Sequence, residues 1–125
     1  MKTFEYTFEG STPSKKNQKI MICRGPRPML IPSKKYTEWH KEHMWLLKKS
    51  VPREPIEKVD AMWLEFGAAT HHKWDLTNKA ESIMDILVDA GILKDDNYTV
   101  VPNLSLSFTG VDKERGHYCK VTFDY

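Results

Sequence analysis

Residues Trp74 to Asp96 read WDLTNKAESIMDILVDAGILKDD, and this stretch decides the fold. Ala80, Ile83, Met84, Leu87 and Val88 recur within it at the i, i+3, i+4, i+7, i+8 spacing of one helical face. The spacing predicts a helix from about Asn78 to Asp89, with Asp75 or Thr77 as its cap and Gly91 just past its end. Upstream, Val59 to Phe66 reads as a strand partly buried on both faces. Downstream, Leu104, Leu106 and Phe108 alternate with polar residues, as strands do. Another helix is predicted from about Lys34 to Lys49, capped by Ser33, with Tyr36, Trp39, His43 and Leu46 or Leu47 on its apolar face. Pro52 and Pro55 end it. Thr3 to Phe8 and Tyr118 to Phe123 read as the first and last strands, and Lys19–Cys23 with Met29–Ile31 as a hairpin. The sum is an α+β fold: one domain over residues 1–125, with a mixed or mostly antiparallel sheet and two principal helices packed on it.

A chain of 125 residues suits a single core. No apolar run approaches the roughly 20 residues that span a bilayer, and MKTFEYTFEG at the start has no signal-peptide core. A soluble, cytoplasmic protein is the expectation. Cys23 and Cys119 form no CxxC pair and fall in strand-like runs, so buried free thiols are expected. His71 and His72 invite a zinc reading, but adjacent histidines in extended chain point apart and no third soft ligand stands at motif spacing. His40 and His43 are expected at the rim or surface of the first helix, and Trp39 and Trp45 in its core packing. No glycine-rich phosphate loop, Ser-His-Asp order or cysteine-nucleophile signature occurs.

Charge is unevenly spread. Lys15, Lys16, Lys19, Arg24, Arg27, Lys34 and Lys35 fall in a stretch without an acid, while the remaining residues carry 12 basic against 17 acidic groups. A basic arm on a mildly acidic body suits a polyanion held against an acidic, metal-binding centre. A solvated surface loop would have the same composition. Lys34 and Lys35 stand at a helix N-terminus, an end that already favours phosphate.

The acids cluster around the second helix. Asn78, Glu81 and Asp85 share a face beside its apolar stripe, Asp75 precedes it and Asp95–Asp96 follows it. Like charges so placed repel, and a divalent cation would remove the repulsion; hard oxygen donors select magnesium or manganese over zinc. Each acid also has an ordinary explanation: Asp75 as a cap, Asp95–Asp96 as a turn, Glu81 and Asp85 as a solvated face.

Together these residues resemble the RusA family of Holliday-junction resolvases. Asp75-Leu76 and Asn78 match the family's Asp-Leu-Asp-Asn helix opening, Asp85 an acid within the helix, Ala90-Gly91 its end, and Asp95–Asp96 the closing pair. Pro13-Ser14 and Asn17 resemble its Pro-Ser-Asn-Asn loop. The strong likeness covers about residues 70–101. It implies Mg²⁺-dependent hydrolysis of branched DNA by a homodimer, leaving a 5′-phosphate and a 3′-hydroxyl, in a bacterial or phage-infected cell. Asp75 and Asp96 would be the principal metal ligands, with Glu81 and either Asp95 or Asp85 completing the shell. The basic residues of the arm would contact DNA phosphates.

Two departures bear on activity. Thr77 stands where the family has a second catalytic aspartate, and Glu81 where it has its catalytic lysine. Thr77 and Glu81 are one helical turn apart, so Glu81 is expected to take over the lost metal contact and Lys79 to supply the positive charge. The rival expectation is a catalytically degenerate DNA-binding protein on the same scaffold. An unrelated α+β protein with surface acids is the third.

Overall fold

The computed structural model describes residues 2–14, 19–24 and 27–125, with 19–24 and 27–32 described by backbone alone. In chain order the elements are β1 (Thr3–Glu9), β2 (Lys19–Arg24), β3 (Arg27–Pro32), α1 (Lys34–Leu47), a short 3-10 turn (Lys48–Ser50), β4 (Met62–Ala68), α2 (Leu76–Asp89), β5 (Leu104–Val111) and β6 (Tyr118–Asp124). Four strands form one mixed sheet in the order β1-β6-β4-β5, and β2 with β3 makes the separate antiparallel hairpin that the sequence predicts. β6 runs antiparallel to both neighbours, whereas β4 and β5 are parallel, joined through α2 in a β-α-β unit. The α+β class holds.

Alternation on the strands explains the layering. Phe4 and Phe8 on β1, Met62, Leu64 and Phe66 on β4, and Cys119, Val121 and Phe123 on β6 all point to one buried face. The register sets Phe4 opposite Phe123, Leu64 opposite Val121 and Phe66 opposite Cys119. Tyr36, Trp39 and Leu47 of α1, with Ile83, Ile86 and Leu87 of α2, complete the same core. Each large side chain fully buried there stabilises the fold by about 1.5–3 kcal/mol. The other face is polar, with Lys120 Nζ 3.5 Å from Glu5 and Thr3 donating to Asp124 at 2.6 Å.

Three expectations shift, and the choice between Leu46 and Leu47 is decided. His43 is buried, not at a rim: its Nδ1 meets Tyr6 Oη at 2.9 Å and its ring packs against Phe8 and Trp39. Trp39 joins the core, but Trp45 is 69% exposed, because nine residues on from the buried Tyr36 it stands about 180° away on α1. Leu47, not Leu46, closes the buried stripe. Val59 lies before β4 and donates instead to the Val100 carbonyl at 2.8 Å. Cys119 is a buried free thiol, and burial pushes its pKa well above the ordinary thiol range. No helix among the described residues is long and apolar enough to cross a membrane.

Candidate functional site

α2 carries the site, and both of its ends are fixed. Asp75 is the N-cap, and its Oδ1 accepts from Thr77 N at 3.0 Å and Thr77 Oγ1 at 2.7 Å. At the other end Gly91, at φ +78°, donates to Val88 O while Ile92 N donates to Leu87 O, a Schellman closure. The second turn of the helix is roofed by residues 11–14, because the buried Ser82 Oγ donates to Pro13 O at 2.7 Å. The loop after α2 is clamped from the connector between the 3-10 turn and β4: Ile56 N donates to Ile92 O, and Lys94 N to Ile56 O.

Two hollows open beside the N-terminal half of α2. The acidic one, about 470 Å³, is bordered by Glu81, Asp85 and Asp96, with Thr77, Leu104 and Leu106 among the rest of its wall. The basic one, about 480 Å³, is bordered by Lys35, Lys73, Lys79, His72 and His117 together with Asp75 and the loop from Ser11 to Ser14. The Asp75–Thr77 hydrogen bonds form the partition, since one residue borders each hollow.

Asp96 is the carboxylate most affected by its setting. Partial burial, then the hydrogen bonding and charge of Asp95, hold its carboxyl above the usual range against the downward pull of its own backbone amide, and the charge of Asp85 adds the smallest push upward. Asp95 is oriented by accepting from Asp96 N at 2.7 Å and from Asn97 Nδ2 at 3.1 Å. Lys79 is half-buried, donates to Ser11 Oγ at 3.3 Å, and stands 4.5 Å from the centre of the Trp74 ring. Burial, and secondly the charge of Lys35, hold its ammonium below the ordinary lysine range.

The structure therefore gathers Glu81, Asp85 and Asp96 around one hollow, and puts Asp75 and Lys79 on the other. Glu81 is on the acidic side and Lys79 is not, as their positions on the helix dictate. Among the described residues, no three His, Cys, Asp or Glu side chains stand close enough together to hold an ion in these rotamers. Lys34 is exposed and 3.8 Å from Glu38, whereas Lys35 borders the basic hollow. Lys15 and Lys16 lie outside the described residues, as do the side chains of Lys19, Arg24 and Arg27. Sequence reasoning missed Lys73 and His117. His117 arrives from the turn before β6, and only the fold brings it to α2. No known protein family and no curated protein is matched by the sequence.

Proposed function

We propose that the chain is a divalent-metal-dependent endonuclease acting on branched DNA, with the acidic hollow as its centre. The observation that carries this is the pairing of two hollows across one helix turn, with oxygen donors in one and, in the other, lysines that have no ion-pair partner among the described residues. A phosphodiester needs both: cations for its backbone and a metal-binding carboxylate set at the reacting bond.

The donor set fits magnesium in chemistry. Glu81, Asp85 and Asp96 offer hard oxygens, and a cation would stabilise the ionised Asp96 carboxylate that burial and then Asp95 disfavour. Asp96, Asp85 and Glu81 would hold the ion after rotamer adjustment of the exposed Glu81 and Asp96. The chemistry that such an ion would supply, when held by these carboxylates, is activation of water near neutral pH and stabilisation of the leaving oxygen. Asp95 holds the Asp96 backbone in place, Asp75 fixes the start of α2, and Lys35, Lys73 and Lys79 receive the strand's phosphates. Preference for four-way junctions, and a homodimer whose two-fold symmetry nicks opposed strands, rest on the resemblance of residues 75–96 to the RusA pattern.

A second reading is favoured by two observations. Thr77 offers no carboxylate at the helix start, and Asp75 Oδ1 is engaged in capping. On that reading the protein binds branched DNA without cutting it. Incubating a labelled synthetic four-way junction with protein and Mg²⁺ decides between them. Nicking should appear and fall in Asp96→Asn by at least the roughly 10–100-fold typical of residues that support metal ligands. Junction binding without nicking in the wild type would establish the second reading, and neither binding nor nicking would end both.

A further inference from the structure

Among the described residues, the basic hollow has a charge imbalance. Lys35, Lys73 and Lys79 border it against one carboxylate, Asp75. None of the three lysines forms an ion pair among the described residues. Gathering cations around a partly enclosed space without a counter-charge costs free energy, and a bound anion would recover it.

The neutral groups of the wall have matching polarity. Ala69 N donates to His117 Nδ1 at 3.2 Å, so the neutral imidazole carries its proton on Nε2, as a donor. Thr12, only 3% exposed, borders the same hollow, and its hydroxyl has no hydrogen-bond partner among the described residues. The α2 N-terminus adds its own positive end. Lys79 is the fixed point of the set, held between Ser11 Oγ and the Trp74 ring.

We propose that this hollow seats one non-scissile phosphate of a nucleic-acid strand, gripped by Lys35, Lys73, Lys79 and His117. The proposal rests on the nuclease reading and gives it a second anchor: a strand held here on one side of the Asp75–Thr77 partition presents its neighbouring phosphodiester to the acidic side. Anchoring by a phosphate adds affinity without sequence preference.

Fluorescence anisotropy of a labelled junction, in EDTA so that no cleavage intervenes, tests it on the intact chain. Each removed phosphate contact flattens the salt dependence by about one unit of slope. Between about 50 and 200 mM salt, Lys79→Gln should therefore lose roughly 3–4-fold less affinity than the wild type. Lys73→Gln, at an exposed loop position, should do the same and guards against a folding defect in the first variant. In parallel, the Ala69 amide signal in NMR should move on adding the junction to wild type and stay still in Lys79→Gln. Movement with inorganic phosphate but not with the junction would overturn the proposal in favour of a free-anion site. Unchanged slopes in both variants would overturn it outright. A protein that nicks normally yet has unchanged slopes loses only this anchor; one that responds as expected here yet never nicks loses only the nuclease reading.

Discussion

Gly67 on β4 lies beneath the Tyr118 ring, and replacing it with alanine is a direct test of the packing that brings β6 against β4. A Cβ built there would lie 2.1 Å from Tyr118 Cε1, with two further ring carbons within 2.8 Å. Carbon atoms in contact stand about 3.5–4.0 Å apart, so the ring must retreat by roughly 1.5 Å. It is poorly free to do so. Tyr118 Oη hydrogen-bonds Thr109 Oγ1 at 2.7 Å, and the Arg115 guanidinium, itself pinned to Glu9 by two hydrogen bonds, stacks 4.2 Å from the ring centre. Overpacking of this kind costs about 1–3 kcal/mol. Losing the exposed hydroxyl contact adds about 0.5–1 kcal/mol, and the lower unfolded-state entropy of alanine returns a similar amount. The net is roughly 1–3 kcal/mol, or a Tm lower by about 4–12 °C in a domain of this size. Differential scanning calorimetry reads it. In a Tyr118→Ala background the same change should become neutral or slightly stabilising, giving a coupling of about 1–3 kcal/mol. A Tm within about 2 °C of wild type, or equal losses in both backgrounds, would refute the argument.

Three further outcomes are expected. Glu81→Gln should abolish Mg²⁺-dependent nicking while leaving junction affinity in EDTA unchanged; near-normal cleavage in that variant removes Glu81 from the metal shell. Burial holds His43 below the usual histidine range, against smaller upward pulls from Glu42 and the Glu9 backbone. Its neutral form is thus favoured in the folded state, so stability is full above about pH 6.5 and declines as pH falls below it, by at most about 1.4 kcal/mol per unit. Urea midpoints at successive pH values should show that slope in wild type and a flatter one in His43→Leu; parallel slopes would contradict it. Ser82→Ala should cost about 1–3 kcal/mol by leaving the Pro13 carbonyl without its buried donor, and calorimetry of a variant as stable as wild type would count against the roof over α2.

Much of the fold was legible because it is local. The α2 stripe, its Asp75 cap and the Gly91 stop are all encoded within a few residues of where they act, and each stands where the pattern puts it. The β2–β3 hairpin is equally local. What sequence could not reveal depends on distant partners. His43 reads as a helix-rim histidine until Tyr6, 37 residues away, supplies a hydroxyl to its ring. Leu104 and Phe108 alternate as a buried strand should, yet β5 is an edge strand and both stay exposed. The candidate site divides the same way. Glu81, Asp85 and Asp96 share a hollow because one helix and its following loop carry them, whereas the basic hollow draws on residues from Ser11 to His117 that no spacing rule connects.

Because α2 is pinned at both ends, it works as a ruler of fixed length. Adding or deleting one residue inside it would rotate every later side chain by about 100°, dragging Asp85 off its hollow or breaking the closure at Gly91. Within that fixed length Thr77 and Glu81, one rung apart, both look into the same space. A side chain anywhere on it can be exchanged without shifting its neighbours, whereas a change of register moves them all.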